Sequence, residues 1–158
     1  VKSAYEQFTT LVKVDGGDLE KTYKRLQNSV DDTRDSVDEV DDRIEAIEQV
    51  AEDLFDEWRE ELDQYSSASL RRSSEQKLRD TRARYKQMLG SMKHARNRID
   101  PVLNVFEDHV LFLKHNLNAR ALASLKHEVS SIEGKVDILI RDMEAAIAEA
   151  GRFIATMQ

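Results

Sequence analysis

Apolar residues recur along most of this chain at alternating steps of four and three. The longest such stripe consists of Leu19, Tyr23, Leu26, Val30, Thr33, Val37, Val40, Ile44, Ile47, Ala51, Leu54, Trp58, Leu62 and Tyr65. Heptad spacing of this kind is typical of a long α-helix, here residues 19–65, that buries one narrow seam against partner helices. A lone helix cannot keep such a seam out of water, so other segments are expected to pack against it.

A shorter stripe precedes the long one. Val1, Tyr5, Phe8 and Val12 predict a helix over residues 1–13. Val1 is already in phase with this stripe, and no capping residue comes before it. We therefore expect the helix, and the natural chain, to begin upstream of Val1.

The second half of the chain predicts two more helices, over residues 69–116 and 119–157. Pro101 lies inside the first of them and allows two interpretations. Either Asp100 caps a new helix with Pro101 at its first position, or the helix continues with a kink after losing the hydrogen bond to the carbonyl of Asn97. The stripe keeps its phase across Pro101, which favours the kink.

Three polar segments separate the stripes. Residues 14–18 hold two glycines, and Asp18 is a good N-cap for the helix that follows. Residues 66–69 hold three serines, of which Ser69 is the expected N-cap. Residues 116–118 hold two asparagines and favour a tight turn over the alternative, a helix that runs on with a stutter.

The stripes also predict how the helices pair. Residues that face each other in an antiparallel hairpin have numbers with a constant sum. Three series of such pairs occur, each with its own sum. One pair from each series is Ala51 with Tyr85, Phe106 with Ile132, and Phe8 with Tyr23. The first two series centre on the serine and asparagine segments, and the third centres beside the glycines. The sequence therefore predicts an all-α, elongated antiparallel helical bundle or coiled coil of three long helices plus a shorter N-terminal helix.

Charge favours the same pairing and limits the partners. Residues 15–63 carry 19 acidic and 6 basic side chains, whereas residues 71–98 carry 10 basic and 2 acidic ones. A net charge of −7 for the chain argues against general affinity for nucleic acid or anionic membranes. Arg71 and Arg72 are expected to escape pairing at the hairpin tip, so a peripheral binder of anionic membrane or nucleic acid through this tip is the alternative function.

Composition and motifs argue against an enzyme. The chain has 158 residues, of which 35% are charged and 6% aromatic, with one proline and no cysteine. No Gly-x-Ser-x-Gly, phosphate-binding loop or Glu-x-x-His pair occurs, so we expect no catalytic residue, cofactor or metal. The four histidines, His94, His109, His115 and His127, are expected to be solvated or to lie at hairpin ends.

The least charged stretch lies before the asparagine segment. Leu111 and Phe112 add apolar surface outside the single seam. They either cover the first helix or present a surface to a partner. Together with His115 they define a candidate partner-binding end.

Four stretches carry a resemblance to a known family. They are Val-Asp-Gly-Gly-Asp-Leu-Glu at 14–20, Ala-Glu-Asp-Leu-Phe-Asp-Glu-Trp at 51–58, Tyr-Ser-Ser-Ala-Ser-Leu-Arg-Arg at 65–72 and Phe-Leu-Lys-His-Asn-Leu-Asn-Ala-Arg-Ala at 112–121. With these the chain resembles the bacterial family named Domain of Unknown Function 2959 over essentially its whole length, with Val14 where the family has an aromatic residue. The resemblance implies no activity and no site residues. A "DNA repair ATPase" label on some members has no support in this sequence.

The resemblance also implies a location. Several family members carry an export or lipoprotein signal, which predicts a periplasmic or envelope-associated protein. We expect a non-enzymatic structural or protein-interaction module, present as a monomer or weak dimer, with a protein partner and no nucleic acid. Membrane association through a segment upstream of Val1 is left open.

Overall fold

The computed structural model describes residues 1–13 and 19–157. Its helices are α1 (Lys2–Lys13), α2 (Leu19–Glu61), α3 (Ala68–Asn97), α4 (Ile99–Lys114), α5 (Ala119–Leu125) and α6 (Val129–Met157). Single 3₁₀ turns follow α2 and α5, at Leu62–Gln64 and Lys126–Glu128. No strand occurs in the described residues, and the predicted all-α helical bundle is confirmed. The glycine segment, with Asp18 as its expected N-cap, lies outside the described residues.

The first hairpin has the predicted antiparallel register. Arg71 at the start of α3 forms an ion pair with Asp63, 3.2 Å away, next to the serine segment. Farther from the turn, Arg34 on α2 binds Glu107 on α4 at 2.6 Å. Both pairs match the sequence-derived register to within a few residues, so α2 lies along the whole of α3 and α4.

The other two pairings are also antiparallel. Tyr85 on α3 packs near Phe153 on α6, with ring centroids 6.3 Å apart. Ser3 on α1 lies 3.3 Å from Ser29 on α2, measured between the hydroxyl oxygens. Because α2 and α6 both run antiparallel to α3, they run parallel to each other. Each packs on α3, but they make little contact with one another.

The helical path continues past Pro101. Only Arg98 separates α3 from α4, and its backbone stays helical, with φ −78° and ψ −13°. Asp100 lies within the first turn of α4, so the interpretation that it caps a new helix is wrong. Pro101 has no N–H, which leaves the carbonyl of Asn97 without its usual donor and explains why the helical hydrogen bonding is interrupted at this place.

Capping side chains fix both hairpin turns. Ser67, not Ser69, is the N-cap of α3, and its hydroxyl accepts a hydrogen bond from the Leu70 N–H at 3.2 Å. The prediction of Ser69 is wrong because the helix has already begun one residue before it. Asn118 caps α5 by accepting from the Ala121 N–H at 2.9 Å. The chain therefore turns here, as predicted.

The core divides into two clusters. The larger one lies where α1, α2, α4, α5 and α6 meet, which we call the four-helix end, and includes Phe8, Leu26 and Phe106 with no exposed surface. The smaller one lies between α2, α3 and the last turns of α6, which we call the three-helix half, and is centred on Phe55 and Tyr85. Helices α1 and α5 belong to the four-helix end alone, and α4 takes the place of α3 there.

Candidate functional site

Helix α1 occupies a groove between α2 and α6. It packs against both of these helices and also against α4 and α5. Ala4, Phe8 and Leu11 point into the groove and are fully buried. Apolar side chains at steps of four and three are the pattern by which a helix packs between two others.

The groove continues beyond the first residue of α1, and there its walls are exposed. The wall residues are Val40, Ile47 and Leu54 on α2 and Met143, Ile147 and Ile154 on α6. We call these six side chains the open groove. The apolar stripes of the sequence placed five of these side chains in the core, all but Ile147, and this is wrong because no described element covers this side of α2 and α6.

The open groove is a direct extension of the α1 seat. Ser29 on α2 contacts α1, and Ile47 lies 18 residues farther, which is about five complete helical turns on the same side. On α6, Ile140 packs against the core cluster that contains α1, and Ile147 follows one heptad later. Both walls therefore keep the orientation that receives α1.

Exposure on α2 changes sharply within one turn. Ile44 faces α3 and is 7% exposed, whereas Ile47 faces the groove and is 37% exposed. On α6, Ile147 is 70% exposed. Between the walls lies α3, where Met88 is buried and Met92 is half-buried. Methionine side chains adapt easily to different partners, which suits the floor of a binding groove.

Acidic side chains lie along the rims of the open groove. Glu61 follows Leu54 by seven residues on α2, and Glu144 precedes Ile147 by three on α6, so each lies on or beside the groove face. Both are exposed, and neither forms an ion pair within the part of the chain that the structure describes. Arg43 is also exposed and lies 18 residues before Glu61, on the same side of α2, so the rim carries charges of both signs.

Two arginines form ion pairs between helices close to Val40, where the open groove begins. Arg96 donates to both carboxylate oxygens of Asp41, at 2.5 and 2.8 Å, and to Asp100 at 3.1 Å. Asp100 also accepts from Arg34, which donates to Glu107 as well. The hydrogen bond from Arg96 lowers the pKa of Asp41, and the same bond raises the pKa of Arg96. These bridges join α2 to the α3–α4 junction at the place where Pro101 interrupts helical hydrogen bonding.

The four-helix end contains a buried histidine that the sequence did not reveal. His109 is 6% exposed, so of the two expected places, in solvent or at a hairpin end, the first is wrong for this residue. Its ring stacks on Phe8 at 4.7 Å between centroids, and its Nε2 lies 2.5 Å from Glu128. The 3₁₀ turn before α6 brings Glu128 to the Nε2 edge of the ring. Nδ1 of His109 is buried without a hydrogen-bond partner among the described residues.

A cleft of about 740 Å³ opens beside this histidine. Phe112 and Lys135 are among the side chains that line it, together with His109 and Glu128. The cleft is lined by one lysine, carboxylates, serines and apolar side chains, and its polar groups do not converge on one point. In residues 1–13 and 19–157 no three His, Asp or Glu side chains gather as metal ligands.

The partner-binding end expected from the sequence is exposed. Leu111 is 67% and Phe112 45% exposed, and His115 is also at the surface. Leu111 does not cover α1, so that alternative is wrong for it. Phe112 borders the cleft beside His109, which places this apolar patch next to the buried pair.

The hairpin tip has fewer unpaired arginines than the sequence predicted. Arg71 was expected to lack a partner, but it pairs with Asp63. Arg72 is exposed and has no ion pair with any described residue. Arg82 lies over the ring of Phe55, with its guanidinium carbon 5.9 Å from the centroid. Part of the basic run is therefore used within the bundle.

None of the described helices has an apolar stretch long enough to cross a membrane. Comparison with known families matches residues 1–157 to the family described as Protein of unknown function (DUF2959). No curated protein and no solved structure gave a match.

Proposed function

For this chain, which belongs to the DUF2959 family, we propose a non-enzymatic role as a structural or protein-interaction module. The open groove is the observation that carries the proposal. It is an apolar surface built from two parallel helices, and it extends a seat that already holds a helix. Contiguous exposed apolar surface of this kind is typical of sites where proteins bind.

The free energy available in the groove is large. Full burial of one aliphatic side chain is worth roughly 1.5–3 kcal/mol, and six large apolar side chains line the walls. Several of them are already half covered, so a partner would gain only part of this amount. Association also costs translational and rotational freedom, so the burial of these side chains sets only an upper limit to the affinity.

The sequence supports the non-enzymatic part of the proposal. It lacks a nucleotide-binding loop, a cysteine nucleophile and the Glu-x-x-His spacing of metal-binding bundles. Elemental analysis of the purified protein tests this part. Stoichiometric iron, manganese or zinc would overturn it.

We further propose an envelope location, on the strength of the family resemblance, and binding to anionic surfaces through the tip as the competing function. The exposed Arg72 favours the latter. Sedimentation with vesicles of anionic lipid separates the two functions. Salt-sensitive sedimentation that disappears in the Arg71→Glu plus Arg72→Glu variant would favour the tip, and no sedimentation would reject it.

Site-specific crosslinking in cells tests the main proposal. A photoreactive phenylalanine analogue replaces Ile47 in the open groove, and in a control it replaces Glu45, an exposed residue on the opposite side of α2. We expect a discrete covalent adduct from position 47 and none from position 45. Equal labelling from the two positions, or no adduct from either, would contradict the proposal.

A further inference from the structure

The cleft beside His109 has a floor made of core side chains. His109, Leu125 and Ile132 line it, and they are only 6%, 6% and 3% exposed. Its volume of about 740 Å³ lies within the range of roughly 300–1,000 Å³ that is typical of small-molecule sites. The cleft lies at the four-helix end, between α4 and the chain from α5 to α6, and apart from the open groove. An inference about it therefore goes beyond the proposed function.

Two charged side chains at the cleft lack a partner. Asp108 on α4 and Lys135 on α6 both line it, and neither forms an ion pair or a hydrogen bond with another described residue. Asp142 lies seven residues after Lys135 on α6, but its carboxylate is already held by Arg98, whose Nε is 2.9 Å away. Within the described chain, the cleft thus has one free carboxylate and one free ammonium group.

The two free charges lie at different levels of the cleft. His109 on α4 is level with Glu128, because the two side chains are in contact. Asp108 lies next to this level, whereas Lys135 lies seven residues farther along α6, which is roughly 10 Å of helix axis. The carboxylates of Asp108 and Glu128 are therefore neighbours, and the ammonium group of Lys135 lies apart from them along the cleft.

A ligand with a single charge fits this cleft poorly. It would pair with one of the two free groups and displace water from the other without replacing its hydrogen bonds, which costs free energy. A ligand with an ammonium group and a carboxylate several ångströms apart pairs with both. In a single amino acid these groups flank one carbon atom, whereas in an extended dipeptide they are separated by roughly 7 Å. Since the long side chain of Lys135 shortens the span to be bridged, a dipeptide has the length that fits.

We propose that the cleft binds a dipeptide with free termini and apolar side chains. Its ammonium group lies between Asp108 and Glu128, and its carboxylate pairs with Lys135. Its side chains pack on the apolar part of the lining, beside Phe112. Ser131 lies between the two charged ends, and its hydroxyl, which has no partner among the described residues, forms a hydrogen bond with the peptide group.

Leucyl-leucine is the probe, and NMR shifts of the Ile132 δ1 methyl group in the intact chain measure its binding. We expect a Kd of about 1 mM or below and no shift of Ile44, which is buried against α3. The N-acetylated and C-amidated forms each lack one charge and are expected to bind about fivefold more weakly. Glycylglycine lacks the apolar side chains and is expected to bind at least about tenfold more weakly. No shift of Ile132 with leucyl-leucine at about 10 mM, or equal binding of all four peptides, would overturn the proposal.

Substitutions at the two charges assign each contact. Lys135→Gln is expected to abolish the preference for the free peptide over the amidated one, and Asp108→Asn to reduce the preference for it over the acetylated one. The matched controls Lys114→Gln and Asp137→Asn change exposed charges on the outer sides of α4 and α6 and are expected to leave every Kd unchanged. Circular dichroism shows whether each variant is folded. Unchanged preferences in the two cleft variants would reject these contacts.

Two other results would also overturn the proposal. If Asp108 and Lys135 pair with each other across the cleft, their single and double substitutions have non-additive effects on the free energy of unfolding, and leucyl-leucine does not bind. If leucine binds as tightly as leucyl-leucine, the two-residue length is not recognised and the dipeptide is rejected as the ligand. Neither result bears on the open groove, whose crosslinking test is independent.

Discussion

The four-helix end and the three-helix half share α2 and α6, and α4 continues the helical path of α3, but only the four-helix end contains α1 and α5. At the first, α1 covers the space between α2 and α6, and Phe8, Leu26 and Phe106 have no exposed surface. At the second, the same space is uncovered, and Ile47 and Ile147 on its walls are exposed. The amphipathic pattern of α2 is equally regular in both regions.

This comparison shows that a heptad stripe in the sequence indicates where a helix needs another helix to pack against it, but not whether that helix is present. In the four-helix end, α1 covers the side of α2 that faces α6. In the three-helix half, α2 is covered only on the side that faces α3, where Ile44 and Phe55 are buried. The unsatisfied side is therefore the surface on which function is expected.

Phenylalanine truncations test the comparison most strongly. Phe106→Ala at the four-helix end is expected to lower the free energy of unfolding by about 4 kcal/mol, and Phe55→Ala in the three-helix half by about 3 kcal/mol. Both rings are buried, but the site of Phe55 borders a groove into which the structure can relax. Urea denaturation measures both. A larger loss for Phe55→Ala would contradict the proposed difference between the regions.

Two isoleucines on one helix sharpen the contrast. Ile44→Ala is expected to cost about 2–4 kcal/mol of unfolding free energy, since the side chain is buried against α3. Ile47→Ala is expected to cost about 1 kcal/mol or less, because much of the side chain is already in water. The same denaturation experiment compares them. Equal losses would mean that the groove is covered in the isolated chain.

The buried histidine provides a test within the four-helix end. Glu128→Ala removes the hydrogen-bond partner of His109 Nε2 and is expected to lower the free energy of unfolding by about 1–2 kcal/mol. Glu133→Ala, five residues farther on in α6, changes an exposed carboxylate and serves as the control, with an expected effect within about 0.5 kcal/mol. Equal effects of the two substitutions would show that the His109 contact adds no stability.

The smallest expected effect concerns pH at the boundary between the regions. Arg96 lowers the pKa of Asp41 in the folded state, so this pair stabilises the fold above the unfolded pKa of about 3.9 and loses its effect as pH falls through the lower, folded pKa. Asp41→Asn is expected to cost about 0.5–1 kcal/mol at neutral pH and progressively less as the pH falls below about 3.9.

The neighbouring residue controls for this substitution. Asp42 is exposed, carries the same charge and has no ion pair with a described residue, so Asp42→Asn is expected to be neutral or slightly stabilising at pH 7. Denaturation of both variants across the acid range makes the comparison. A loss for Asp41→Asn that does not shrink in acid would assign its effect to packing and not to charge.

Much of the fold could be predicted from the sequence because heptad stripes fix both the helical state and the register. The spacing of the apolar residues alone predicts that Phe106 faces helix α6 and that Ala51 faces α3. The turn at residues 116–118 was predictable, but the cap at Ser67 was not, because Ser66, Ser67 and Ser69 offer equivalent hydroxyls and the choice depends on where the tertiary fold starts the helix.

The candidate site could not be predicted, for two physical reasons. Exposure of Ile47 depends on a missing neighbour, which leaves no trace in the spacing of α2 itself. The contact between His109 and Glu128 depends on a 3₁₀ turn that locally shifts the register, and no residue at 126–128 marks that change.

Methyl NMR with a soluble paramagnetic agent tests the central claim most directly. Relaxation enhancement is measured for the δ1 methyl groups of Ile47 and Ile147, which line the open groove, and of Ile44 and Ile132, which are buried. We predict strong enhancement for the first two and protection for the second two. Protection of Ile47 and Ile147 to the level of Ile44 and Ile132 would show that the groove is already filled and would contradict the account.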